Sequence, residues 1–157
     1  MNQSTNTPRP LFVYGTLQAL PLLAWALTRD AANIDIVAKL ARPAKVKGYA
    51  RYAVHHGDYP ASIKKTDHEV KGLLLVLETK SQRKKLDDFE GEVYLPTAVA
   101  VTLEDGTTAD ADMYVWNGDA EALTTEEWKL EDFVKDRLED WIDFFAGMEM
   151  VGDSDSE

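Results

Sequence analysis

Glu90 is the residue whose position best suits proton transfer. Thr79-Lys80-Ser81-Gln82 reads as a capping box with Thr79 as N-cap. The helix it opens runs through Leu86 to Phe89 or Glu90, with Gly91 where a helix-ending glycine belongs. Glu90 lies four residues after Leu86 and so shares the face turned toward the core. It also sits at the negative end of the helix dipole, with Asp87 one turn earlier. Partial burial and negative surroundings both raise a carboxylate pKa, and a carboxylate shifted toward neutrality is a better base at working pH. The alternative is a frayed, solvated Glu beside Gly91. Other chemistries lack their parts. There is no Cys, hence no thiol nucleophile, thiolate ligand or disulfide. Ser occurs at 4, 62, 81, 154 and 156, none in a nucleophile elbow. Gly15 lacks the partner glycines and the Lys of a phosphate loop. In His55-His56-Gly57-Asp58 the adjacent imidazoles point to opposite sides of a strand, and His68 has no ligand at a familiar spacing, so no metal site is expected. What remains is a carboxylate working as acid or base beside backbone donors.

Those donors are expected in Leu11-Phe12-Val13-Tyr14-Gly15-Thr16-Leu17. Leu11 to Tyr14 reads as a buried strand. Gly15 permits a sharp turn with φ > 0, and a helix begins near Pro21. Gly15, Thr16 and Leu17 then fall in a loop between a strand end and a helix start. Successive N–H groups in such a loop can converge on a carboxylate or a developing oxyanion. A plain glycine turn after a buried strand is the simpler alternative. In Asp58-Tyr59-Pro60-Ala61, Pro60 pushes Tyr59 into an extended conformation, as part of a rigid loop or as a pocket wall.

The remaining elements must hold these pieces together. Leu20–Thr28 reads as a short helix with Leu22, Leu23, Ala26 and Leu27 apolar. Ile34–Val37 and Ala44–Tyr49 suggest extended pieces, with Pro43 between them, and a strand runs through Lys47–Val54. The unalternating run Leu73–Leu77 predicts a strand covered on both faces, central or in a closed barrel. Lys84, Lys85, Asp87 and Asp88 read as a solvated helix face. Val99, Val101 and Leu103 alternate, Asp105-Gly106 signals a hairpin, and the returning strand puts Ala109, Ala111, Met113 and Val115 on one side. Asp110, Asp112, Tyr114 and Trp116 take the other side. A second capping box, Thr124 to Glu127, predicts a helix over 124–146 with Leu130, Val134, Leu138, Trp141 and Phe145 as one continuous stripe, ended by Gly147.

The 157 residues, 45% hydrophobic, fit a single soluble domain. Leu20–Leu27 and Leu73–Leu77 are too short to span a bilayer, and no secretory leader is visible, so a cytoplasmic protein is expected. The net charge of −11 is unevenly placed: residues 119–157 hold 14 acidic and 3 basic side chains, residues 1–118 hold 14 of each. Such a surface disfavours nucleic acid and anionic membranes as partners.

Tyr14-Gly15-Thr16-Leu17 after an apolar strand resembles the opening motif of the γ-glutamylcyclotransferase-like family, in its γ-glutamylamine cyclotransferase and avirulence-induced-gene-like branch. Tyr59-Pro60-Ala61, then Leu86-Asp87-Asp88-Phe89-Glu90-Gly91 followed by Tyr94, then Tyr114-Val115-Trp116, arrive in that family's order. The resemblance implies an α+β fold, a mixed and largely antiparallel sheet curled into a small barrel with peripheral helices. Residues 1–9 would be a disordered N-terminus, 10–147 the single domain and 148–157 an acidic tail. The implied reaction is cyclisation of a γ-glutamyl group to 5-oxoproline with release of an amine or amino acid. No cofactor is needed. Glu90 would be general acid and base, with Tyr14, Gly15, Thr16, Leu17, Tyr59 and Tyr114 binding the small-molecule substrate. Two positions depart from the family's usual basic residues, Gln18 and Leu95. Two other functions keep the same fold: a non-catalytic small-molecule binder, and an interaction protein recruiting a basic partner through its acidic C-terminus.

Overall fold

The computed structural model describes residues 8–54, 59–90, 94–118 and 120–146, the side chains of 90, 120, 145 and 146 excepted. Five strands form a closed barrel: β1 (Leu11–Val13), β2 (Ala41–Ala53), β3 (Pro60–Leu75), β4 (Tyr94–Leu103) and β5 (Thr108–Trp116). Their order around the barrel is β1-β3-β2-β4-β5. All neighbours are antiparallel except β1 and β5, whose parallel pairing (Leu11 with Asp112, Phe12 with Met113) closes the barrel. The expected mixed, largely antiparallel small barrel is what forms.

Side-chain alternation sorts the strand residues onto two faces. Phe12, Val46, Val70, Leu74, Val101, Ala111 and Met113 gather in one buried cluster drawn from all five strands, the barrel interior. Leu11, Val13, Leu75 and Tyr114 point the other way, into a cluster shared with α1 (Leu20–Thr28), α2 (Ile34–Ala38) and α3 (Lys80–Glu90). Leu74 and Leu75 are buried on opposite faces of β3, as the unalternating run required, but the strand stops at Leu75, short of the expected Leu77, and Val76 is exposed. The β2–β3 pairing slips between Lys47 and Tyr49, where Gly48 takes φ 87°, a bulge that bends the long hairpin. Gly106, at φ 89°, turns the β4–β5 hairpin.

Three elements differ from the sequence reading. Ile34–Ala38 is a helix, not an extended piece; Val37 is fully buried in the cluster shared with α1. Tertiary packing here overrides the strand preference of Ile and Val. α1 is apolar all round, with Ala24 and Trp25 buried as well as the expected leucines, because it lies between barrel and C-terminal helices. The C-terminal helix starts at Leu130, not 124, and divides into α4 (Leu130–Asp136) and α5 (Leu138–Ala146). Thr124 is used elsewhere: its Oγ1 donates to the Ala53 carbonyl at 2.9 Å and accepts from the Glu126 N–H at 3.0 Å. The break at Arg137 shifts the apolar stripe by one residue. An unbroken helix would turn Arg137 inward, four positions after Phe133. Instead Phe133 and Leu138 are buried and Val134 is exposed. His55–Asp58, Gly91, Gly147 and the tail 148–157 lie outside the described residues. Among those described, no helix is long and apolar enough to cross a membrane.

Candidate active site

At the end of β1 the chain enters a single 3-10 turn, Thr16–Gln18, before α1. The Gln18 N–H donates to the Gly15 carbonyl and the Ala19 N–H to that of Thr16, each at 3.0 Å. The first N–H groups of such a turn, those of Thr16 and Leu17, have no acceptor within it. The predicted loop exists, but Gly15 is needed for a different reason than the one read from the sequence. Its φ is −121°, and a Cβ there would lie 2.9 Å from ring carbons of Pro60. The requirement is close approach, not a left-handed turn. Pro60, the first residue of β3, thus packs directly on the loop.

Val13, Tyr14, Gly15, Thr16, Tyr59, Pro60, Tyr94 and Tyr114 surround one small cavity. Five of the seven residues expected in the site therefore meet here: Tyr14, Gly15, Thr16, Tyr59 and Tyr114. The Leu17 side chain is buried in the core and offers the cavity no surface. Glu90 closes α3, three residues and one turn beyond Asp87; its side chain lies outside the described residues. The unfilled space is about 20 Å³, room for about one water. A groove of about 410 Å³ between β2–β3 and Thr125–Glu127 is roomier, but none of the expected site residues lines it.

The cavity wall is held by hydrogen bonds that sequence reasoning missed. Tyr14 Oη donates to the Tyr114 carbonyl, across the parallel seam. Tyr94 Oη donates to the Pro60 carbonyl at 2.6 Å. Tyr114 Oη donates to Asp87 Oδ1 at 2.5 Å. Asp87 therefore backs the wall through Tyr114 while its side chain stays 40% exposed, and Asp88 carries a buried carboxylate oxygen. Arg51 Nη1 donates to the Tyr14 carbonyl at 2.8 Å, and its guanidinium lies 5.4 Å from the Trp128 ring centre. Burial lowers the Arg51 pKa, against the opposing pull of Glu127 and Glu131. Tyr94 could have been found, since it follows Glu90 by four residues within one of the family-like pieces. Asp87 and Arg51 act through partners distant in the chain and leave no local signal. Leu95 is 54% exposed on β4, so its replacement of a basic residue takes no charge out of the cavity.

Arg83 links this wall to the barrel. Its Nε is 2.9 Å from Asp87 Oδ1 and its Nη1 is 2.8 Å from Asp112 Oδ2, while Arg9 Nε holds Asp112 Oδ1 at 2.9 Å. Burial opposes the charge on Arg83, but the hydrogen bonds to both carboxylates outweigh it and raise its pKa. Burial likewise acts to raise the Asp112 pKa; the Arg83 and Arg9 hydrogen bonds win and hold it below the usual range. A depressed folded-state value stabilises the fold above the unfolded Asp pKa of about 3.9 and loses that contribution as pH falls through the folded value. Thermal stability followed from pH 6 downward should therefore decline below about pH 4, and Asp112→Asn should flatten that decline. Identical acid profiles for parent and variant would show that the pair contributes nothing measurable.

The family described as gamma-glutamyl cyclotransferase, AIG2-like, matches residues 11–133. AIG2-like protein C of Arabidopsis thaliana is 27% identical over 84% of this chain and 73% of its own length. Protein AIG2 C of the same plant is 24% identical over 94% and 86%. A solution structure of an Arabidopsis thaliana protein superimposes with a TM-score of 0.61 at 22% identity, covering 91% of this chain and 84% of its own. A gamma-glutamyl cyclotransferase structure does so with a TM-score of 0.54 at 17% identity, covering 90% and 88%. Those structural likenesses speak for the fold. With the family match running from β1 through the whole barrel into the first turn of α4, the chain belongs to the gamma-glutamyl cyclotransferase, AIG2-like family.

Proposed function

We propose that this chain cyclises the γ-glutamyl group of a small molecule to 5-oxoproline and releases the attached amine. The observation that carries the proposal is the meeting of the post-β1 loop and four tyrosines around one cavity, with Asp87 of α3 holding the hydroxyl of one of them, Tyr114. In the proposed reaction the Glu90 carboxylate takes a proton from the substrate's α-ammonium. The freed amine attacks the γ-carbonyl of the same residue, forming the lactam C–N bond. The bond to the leaving amine breaks as Glu90 returns its proton to that nitrogen, and the second proton, given up by the new lactam nitrogen, leaves with the released amine as its ammonium ion. The reacting atoms already share one molecule, so the protein's task is to hold the folded conformer and move the proton. N–H groups of Thr16 and Leu17 are suited to the α-carboxylate or to the developing oxyanion. A γ-glutamyl group exceeds the space now open, so the walls must part to admit it.

The direct test is incubation with γ-glutamyl amines, γ-glutamyl amino acids and γ-glutamyl-lysine, with assay for 5-oxoproline. Absence of 5-oxoproline from all of them would sink the reading. A second expected result concerns the loop. 5-Oxoproline should bind more tightly than its carboxamide by about 10-fold or more, the range for one charge-assisted hydrogen bond. Calorimetric competition measures this, and equal affinities would remove the carboxylate from the loop.

A further inference from the structure

A tyrosine hydroxyl has one proton. In this cavity three hydroxyls have already placed theirs. Tyr14 and Tyr94 donate to backbone carbonyls, which only accept. Tyr114 donates to Asp87, whose carboxylate is ion-paired with Arg83 and has no proton to give in return. Whatever else meets these three oxygens must therefore be a donor. The sequence places Tyr114 among the substrate-binding residues without a direction for its hydroxyl, and the structure supplies one. The rings border the same space: Tyr94 packs edge-on against Tyr59 and at a tilt against Tyr114, with centres 6.5 Å and 6.4 Å apart.

We propose that Asp87, held by Arg83, sets the hydrogen-bond polarity of Tyr114, so that the cavity accepts an ammonium group there and rejects an acceptor in its place. Asp87 is then a positioning residue acting through Tyr114. This deepens the cyclotransferase reading and rests on it, since the ammonium in question is the α-ammonium of the γ-glutamyl group. It also divides the site: the ammonium lies on the tyrosine side and the α-carboxylate on the loop side.

Two probes differ at this one position. Glutamate carries the α-ammonium; 2-oxoglutarate carries a carbonyl oxygen, an acceptor, in its place. Neither is a γ-glutamyl amide, so neither releases an amine by ring closure. Calorimetry on the parent protein should show glutamate binding about 10-fold or more tightly than 2-oxoglutarate. In Asp87→Asn the amide can donate to the Tyr114 oxygen, which frees the hydroxyl to turn its proton toward the cavity. The ratio should then fall toward one, with 2-oxoglutarate gaining. Loss of wall structure alone would weaken both probes together and leave the ratio unchanged. Tyr114→Phe, which keeps the ring, should erase the preference too, and it serves if Asp87→Asn does not fold. A parent without preference, or one that binds neither probe, overturns the proposal, as does an unchanged ratio in either variant. Failure of the cyclotransferase reading is seen separately, as absence of 5-oxoproline while the affinity ratio stands.

Discussion

Glu90→Gln is expected to fold as the parent does and to lose about 10²–10⁴-fold in 5-oxoproline production, the usual scale for removing a general acid–base group. The amide keeps the volume and most of the hydrogen-bonding capacity of the carboxylate but cannot carry the proton from ammonium to leaving amine. The position supports the role. Glu90 is the last residue of α3, one turn beyond Asp87, and Asp87 receives the Tyr114 hydroxyl at the cavity wall. A surface Glu at a helix end would instead contribute within about 0.5 kcal/mol to stability and nothing to turnover. Initial rates on γ-glutamyl substrates, with thermal melts of both proteins, separate the two. Parental turnover in Glu90→Gln would remove it as the base.

Gly72→Ala is the substitution expected to damage the fold most. A Cβ at Gly72 would stand 2.2 Å from the Val13 carbonyl oxygen and 3.1 Å from the Tyr14 Cα. Both are backbone atoms, so no rotamer relieves the clash. β1 must move away from β3, and β1 carries the Gly15–Leu17 loop. We expect a loss of at least about 3 kcal/mol, the upper range for overpacking, or roughly 6–12 °C in Tm for a domain of this size. A melt within about 2 °C of the parent would show that β1 shifts freely, and with it the loop.

Much of this architecture was readable where the signal is local. The Thr79–Gln82 capping box forms: the Gln82 N–H donates to Thr79 Oγ1 at 3.1 Å and the Thr79 N–H to Gln82 Oε1 at 3.2 Å. The Asp105-Gly106 hairpin and the alternation of Val99, Val101 and Leu103 also stand, because turn chemistry and period-two burial act over neighbouring residues. Residues that depend on distant partners were not readable. Gly15 is small because of Pro60, and Gly72 because of Val13. Asp87 looked like any charged helix residue until Tyr114 came to it across 27 positions. The break at Arg137 depends on whether Phe133 or Val134 faces α1 and Trp128, which periodicity alone did not decide. The site was legible as motifs, but its hydrogen-bond directions belong to the tertiary structure.

The parallel seam has a consequence for how the molecule is made. β1 is three residues long, yet it pairs with both β3 and β5, and Arg9 clasps Asp112 across 103 residues of chain. β1, which precedes the other barrel strands in the chain, finds its second neighbour only when β5 exists. Until then the nascent sheet has two open edges, the state in which strands recruit other chains. Closure of so long a loop is slow, so this fold should refold on the slower side for its length. The walls around the Tyr14–Leu17 loop, drawn from β1, β3, β4 and β5, come together only when the barrel closes.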